Sequence, residues 1–355
     1  MKRLVFAALA IAAMAACTKS NVQLEQPGEI TLQPVAQKAT KAAVDGASYP
    51  TDVAYNFNVW AWWKDCNAGT KLKKFIESTP TPYIAEGEFI FKQGSWRGNT
   101  PYYWPTKGSL VFAGYSPASA ASNGTFKYVV ADSTFQVTNY IQSNNISESK
   151  DLMWFDVTDI SYDNNGTAGV PVTFKHALSW LTFNFNLAEG APQNWRVKDV
   201  TLTGIENMAT FTARKGSTLN WTIPTPFPDT NNGEINVYNN GEGVTITNTG
   251  KVLENTPDAS LSKGAVLVIP QSCTNVNASL VITYDLKNHA HGVIPDAPEY
   301  LQGQQVTLPL NGGNVGDAWK VGKHYIYTIT FGANEILIAP EVADWGEPVN
   351  IPVQK

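Results

Sequence analysis

Apolar and polar residues alternate along much of the chain. In Leu181-Thr182-Phe183-Asn184-Phe185-Asn186-Leu187 every apolar side chain falls on one face and Thr or Asn on the other, the period-two signature of a strand with one face in a core and one wet. Ser279 to Leu286 and Lys323 to Phe331 continue in the same manner with both faces more apolar, which predicts central strands. Further strand-like runs lie at Tyr55 to Trp63, Glu88 to Phe91 and Leu110 to Tyr115. Helical periodicity is confined to one candidate, Lys71 to Ser78. Asn-Gly pairs at 123–124, 165–166, 232–233 and 240–241 predict hairpins, because a type I′ turn needs positive φ at both central positions. Many short strands with turn punctuation imply an all-β protein of two antiparallel β-sandwiches in series. Their junction is expected between residues 165 and 180, where the polar Asn164 to Thr167 turn gives way to renewed alternation at Leu178.

The ends of the chain carry different patterns. Lys2 and Arg3, the apolar run Leu4 to Met14, and Ala15-Ala16-Cys17 read as a lipoprotein signal peptide whose cleavage leaves a lipidated Cys17. The alternative is a plain secretory signal with an incidental cysteine. The apolar run is too short to span a bilayer. Residues 18–50 hold one short strand-like run, Glu29 to Val35, followed by a loose Ala/Lys/Thr stretch, and read as a leader strand and linker.

Composition narrows the function classes. Of 25 basic residues two leave with the signal, so the mature chain carries 23 against 30 acidic residues, a net charge of −7. With no basic run interleaved with aromatics, nucleic acid is excluded as the expected partner. Only 15% of residues are charged, and Thr, Asn, Val, Gly and aromatics abound, as suits pleated sheets. Cys66 and Cys273 are far apart in sequence; they are read as small buried hydrophobes, with a disulfide in an exported protein as the alternative.

Familiar catalytic and nucleotide signatures are missing: there is no G-x-S-x-G elbow, H-E-x-x-H pair, Walker loop or post-strand G-x-G-x-x-G. No enzyme activity, cofactor or metal is therefore expected. His289-Ala290-His291 lacks a supporting carboxylate or cysteine cluster and reads as exposed histidines. Asp163 to Gly166 and Asp229 to Glu234 place oxygen donors at spacings that hint at calcium, but turn chemistry accounts for them as well. Eleven tryptophans could supply a sugar-stacking surface. In a strand, however, Trp60 and Trp62 share a face and Trp63 points away, so core packing or a domain contact is the better account.

Several stretches in this order resemble the fimbrillin family, the lipoprotein-derived subunits of type V pili of Gram-negative anaerobes. They are Tyr102-Tyr103-Trp104-Pro105 leading to Leu110 to Pro117, Asp151-Leu152-Met153, Phe174 to Phe183, Val268-Ile269-Pro270-Gln271, Trp319 to Tyr327 with its Lys323-His324 pair, and Val342-Ala343-Asp344-Trp345. They look like scaffold motifs, with His176 and His324 in packing or hydrogen-bonding roles.

The resemblance implies two tandem transthyretin-like β-sandwich domains at 51–175 and 176–345, preceded by the signal (1–17) and the leader with its cleavable linker (18–50). It also implies transit through the outer membrane on a palmitate-bearing Cys17, then surface display in a fimbrium with other pilin subunits as partners. Removal of the leader strand by a trypsin-like protease, here at Lys38 or Lys41, would open a groove that Ile30 and Leu32 occupy beforehand. The tail 346–355 sets Val349, Ile351 and Val353 on one face and is the candidate donor strand for the next subunit; the alternative is an edge strand of its own domain, which Pro352 favours. The expected function is thus a structural fimbrial subunit supporting adhesion to a host or bacterial surface ligand. The runner-up is a glycan-binding surface lipoprotein that does not polymerise.

Overall fold

The computed structural model describes residues 28–36, 49–64, 81–105, 108–160, 168–191, 194–214, 219–224, 232–247, 251–252, 266–288, 290–293, 296–310, 318–333 and 335–344. Among them strand predominates, with only short helical segments such as Ala118–Asn123 and Cys273–Val276. The first half contributes β1 (Thr31–Ala36), β2 (Phe57–Lys64), β3 (Ile84–Lys92), β4 (Ser95–Gly98), β5 (Ser109–Ser116), β6 (Thr125–Val129), β7 (Thr134–Ile141), β8 (Met153–Ile160) and β9 (Val170–His176). The second half contributes β10 (Ser179–Leu187), β11 (Trp195–Glu206), β12 (Met208–Arg214), β13 (Asn220–Thr222), β14 (Asn232–Thr245), β15 (Lys251–Val252), β16 (Val266–Val268), β17 (Ser279–Lys287), β18 (Tyr300–Pro309), β19 (Lys323–Phe331) and β20 (Ile336–Asp344). The candidate helix at 71–78 lies outside the described residues.

Seven strands close a barrel in the order β1, β4, β3, β2, β5, β8, β9. Strand alternation explains how this barrel carries a core on each side. From β2, Phe57, Val59 and Ala61 fill the barrel, while Trp60 and Trp62 point outward into a second core. β5 does the same with Leu110 and Phe112 inside and Ala113 and Tyr115 outside, which is why it is buried along its whole length. The second core is roofed by the sheet β13-β12-β7-β6. A third lies between β15-β10-β19-β20, with β16 also on β10, and β14-β11-β17-β18.

The second core joins the two halves of the chain. Its roof pairs β7 with β12, strands from opposite sides of the 165–180 segment. The chain crosses between halves at Ala177 and Leu178, both fully buried in that core. Their peptide groups are satisfied from both sides: Ala177 N donates to Leu152 O (2.8 Å), Trp221 Nε1 to Ala177 O (2.6 Å) and Gly322 N to Leu178 O (2.9 Å). Ser179 Oγ donates to Lys320 O at 2.8 Å. Next to this crossing the buried His176 Nδ1 meets Asp151 at 2.9 Å.

Two local expectations need correction. The polar face of β10 is not wet: Asn184 is buried, and Thr182 and Asn186 are half-buried. β10 is an inner strand, so neighbours cover it, and from β19 His324 stacks on Trp180 (3.6 Å between centroids, 3° between planes) and meets Thr182 Oγ1 through Nε2 at 2.9 Å. The Asn-Gly pairs within the described residues are not hairpin turns. Gly124 is extended (φ 178°), and a Cβ there would sit 3.0 Å from Tyr140 Cα; Gly233 pairs with Ile205 in a ladder; Asn240-Gly241 lies in a wide irregularity of β14 between the pairs Asn239↔Asp199 and Val244↔Val197. At Gly233 and Asn240-Gly241 pairing with β11 overrides the local turn preference, whereas Asn123 ends a short 3-10 helix that Gly124 caps. The tight turn with two positive φ values is instead Gln93-Gly94 (53° and 76°), between β3 and β4.

Burial pulls the His324 pKa down from the ordinary 6.5 to about 4. The unfolded chain therefore takes up a proton near 6.5 that the folded chain refuses until about 4, and stability falls as pH drops through that window, by of order 3 kcal/mol at its lower end. We expect the melting temperature to decline between these pH values and the decline to be shallower in His324→Gln. An unchanged slope in the variant would remove His324 as the cause.

Candidate functional site: the groove of the N-terminal strand

The barrel is closed by its most N-terminal described strand. β1 runs parallel to β9 over five registered pairs, from Leu32↔Val170 to Ala36↔Phe174, and antiparallel to β4 over two, Thr31↔Arg97 and Leu32↔Trp96. Its alternation suits a groove: Leu32, Pro34 and Ala36 are buried, whereas Gln33 and Val35 are exposed. Ile30, just ahead of the strand, is wholly buried, and Leu32 is 2% exposed. Both join an aromatic core in which Phe57 packs on Trp96 (5.0 Å) and on Phe174 (5.3 Å).

Upstream of β1 the chain is held by the Tyr102-Tyr103-Trp104 segment. Ile30 N donates to Tyr102 O (2.8 Å), and Trp104 N donates to Gly28 O (3.1 Å). Tyr102 can hold that position because its ring lies over two glycines: a Cβ on Gly87 or Gly98 would come within 2.4 or 2.6 Å of it. The ring also stacks on Phe89, 6.1 Å between centroids. On the other side Gly169 (φ +86°) leaves room for β1, since a Cβ there would lie 2.9 Å from Thr31 Oγ1. Gln33 Nε2 donates to Ala168 O.

At the mouth of the groove Arg97 Nη1 donates to Glu29 Oε2 at 2.8 Å, with both side chains about one-fifth exposed. Arg97 is oriented independently of that partner: its Nε and Nη2 donate to Ser95 Oγ (3.0 and 2.5 Å) and its Nη1 to Gln93 Oε1 (3.2 Å). At the far end Tyr49 re-enters the same core. It stacks on Phe174 at 5.0 Å, donates its hydroxyl to Tyr55 O at 3.0 Å and shares a hydrogen bond with Ser116. Burial pushes its hydroxyl pKa well above the ordinary tyrosine range, so it stays neutral.

Of the sequence-predicted site residues, the structure brings Ile30 and Leu32 together in this groove. Cys17, Lys38, Lys41, Val349, Ile351 and Val353 lie outside the described residues, as do Cys66, His289 and the Asp163 to Gly166 turn. Cys273 is buried in the third core. Trp60 and Trp62 are buried and only Trp63, at 38%, is exposed, so the three do not form a stacking platform. His291 is exposed, with Nδ1 2.8 Å from Ala297 O. Among the described residues no three His, Cys, Asp or Glu side chains gather as metal ligands. The other motifs are scaffold. Gln271 Oε1 accepts from Glu206 N (2.8 Å) while its Nε2 donates to Glu206 O (3.0 Å), and Trp319 Nε1 donates to Tyr327 Oη (2.8 Å). Sequence reasoning missed Arg97 and Tyr49. The Gln93-Gly94 turn could have marked Arg97 as part of a hairpin; no local signal marks Tyr49.

The arrangement holds one strand of the chain over an apolar groove. Residues 40–345 match the sequence profile of the family described as fimbrillin-like. No curated protein matches the chain in sequence. Among solved structures, a fimbrial protein from Bacteroides vulgatus is 13% identical, covers 89% of this chain and 99% of its own, and superposes with a TM-score of 0.57. A candidate cell adhesion protein from Bacteroides uniformis is 15% identical over 90% of this chain and 98% of its own, with a TM-score of 0.49. The tip fimbrial protein Mfa3 from Porphyromonas gingivalis, truncated at its C-terminus, is 11% identical over 83% and 95%, with a TM-score of 0.37. The chain belongs to the fimbrillin-like family.

If β1 is held as core, Leu32→Ala should lower unfolding stability by about 2–5 kcal/mol, whereas Val35→Ala, on the exposed face, should change it by less than about 0.5 kcal/mol. Urea unfolding of the two variants compares them directly. Equal effects would contradict the inward orientation of Leu32.

Proposed function

We propose that this fimbrillin-like chain is a structural fimbrial subunit, exported as a lipoprotein on Cys17 and polymerised by donor-strand exchange once a protease cuts at Lys38 or Lys41. The observation that carries this reading is the position of β1: it completes the barrel, yet it joins the rest of the fold only through residues 37–48, where both lysines lie. Cutting there would separate β1 from a chain that Tyr49 still anchors. Loss of β1 would leave the edges of β4 and β9 unpaired beside an apolar groove, a combination that a strand from another subunit can satisfy.

Several features favour release. Parallel pairing, as between β1 and β9, is slightly less stable per residue than antiparallel pairing, and Pro34 has no N–H to donate. In the proposed exchange Val349, Ile351 and Val353 of the tail are the inward residues of the donor. Residues 51–175 and 176–345 form two tandem transthyretin-like domains, with the β13-β12-β7-β6 sheet shared between them. Other pilin subunits are the partners, the outer membrane holds the chain before processing, and the finished fimbrium supports adhesion at the cell surface.

Mild trypsin treatment of the full chain, or deletion of residues 18–41, should yield ladders on a gel that collapse on heating, and removal of residues 346–355 as well should abolish them. Mass spectrometry of the surface form should find an N-terminus at Ala39 or Ala42. Strictly monomeric product under every condition would sink the polymerisation mechanism.

A further inference from the structure

We propose that Arg97 is the specificity-determining residue of the β1 groove, selecting an incoming strand with a carboxylate one residue ahead of its first inward apolar side chain and thereby disfavouring this chain's own tail. This rests on the strand-exchange reading above and adds a ranking of donors: a strand of a different polypeptide with an acidic residue at that position binds more tightly than the tail of another copy, which can still dock.

Glu29 is the one charged residue in Gly28 to Ala36, and it lies immediately before Ile30, the first side chain to enter the core. Its partner is not a loose surface cation. Arg97 sits on β4 opposite Thr31, is about one-fifth exposed, and is held by Ser95 and Gln93, contacts that do not involve β1. An occupant without a carboxylate there would leave a partly desolvated guanidinium donor unpaired, a larger penalty than loss of a solvated surface pair.

The tail does not meet the requirement in either direction. With Val349, Ile351 and Val353 in the positions of Ile30, Leu32 and Pro34, the residue facing Arg97 is Pro348. With the direction reversed, Val353 takes the position of Ile30, Gln354 faces Arg97 and the cationic Lys355 follows. Neither register places an acidic side chain beside Arg97, whereas the leader does. The groove therefore prefers its own leader until cleavage, and afterwards a foreign acidic strand over a second copy of this chain.

The test uses the full chain with a sequence-specific protease site introduced within residues 37–48, cut and freed of its leader fragment, with peptides competing against a labelled 27–37 peptide. The Glu29→Gln peptide should bind about tenfold more weakly than the wild-type leader peptide. The 346–355 peptide should also bind more weakly than the leader. Its Pro348→Glu variant should recover about tenfold on the wild-type groove and nothing on an Arg97→Ala groove, with Pro348→Gln controlling for the regained backbone N–H. The peptide variants leave the fold of the acceptor untouched, so they decide the matter even if Arg97→Ala is unstable. Equal binding of leader and Glu29→Gln peptides, or of leader and tail peptides, would overturn the assignment to Arg97 while leaving strand exchange intact. Failure of the wild-type leader peptide itself to bind would overturn the exchange reading and this inference with it.

Discussion

A barrel wall has no tolerance for a missing strand, because every backbone amide and carbonyl along the gap loses its partner at once. In this protein that requirement falls on β1. β9 finds its parallel neighbour, and β4 part of its antiparallel one, in a six-residue segment at the N-terminal side of the fold. The aromatic core behind it, with Phe57, Trp96, Phe174 and Tyr49 in mutual contact, stays dry because Ile30, Leu32, Pro34 and Ala36 cover it. Backbone pairing and apolar burial thus depend on the same short strand.

The second core sets how far the consequences reach. β2 and β5 present one face to the barrel and the other to Trp60, Trp62, Tyr115 and the β6-β7-β12-β13 roof, so the wall of the groove is braced from outside. Among the described residues β1 has no such brace: its outward residues Gln33 and Val35 are exposed. One strand of the barrel is therefore attached mainly through its inner face and its edges, while the remainder is packed into the body of the protein.

Much of this was legible in the residue pattern, and the exceptions have physical causes. Alternation located β2, β5, β10, β17 and β19, and the two-sided apolar character of Lys323 to Phe331 marked an inner strand. Alternation reports which faces are apolar but not what lies against the polar ones, so the burial of Asn184 and the stacking of His324 on Trp180 were invisible. Asn-Gly pairs state a local preference, but two of them lie where the β11 ladder governs the backbone and a third at the end of a 3-10 helix. Ile30 and Leu32 stood out as an isolated apolar pair in a polar segment. Arg97 did not, because its significance depends on Glu29 being brought beside it by folding.

The crossing at Ala177 and Leu178 has a mechanical side. The halves of a long chain are commonly joined by a segment that can straighten under tension, but here the crossing is wholly buried and bonded to Leu152, Trp221 and Gly322. There is no slack to take up. A pull between the barrel and the far sheets is carried directly by packed side chains and a small set of hydrogen bonds, so the chain responds as a stiff strut. In any filament built from it, bending compliance would reside between chains rather than within one.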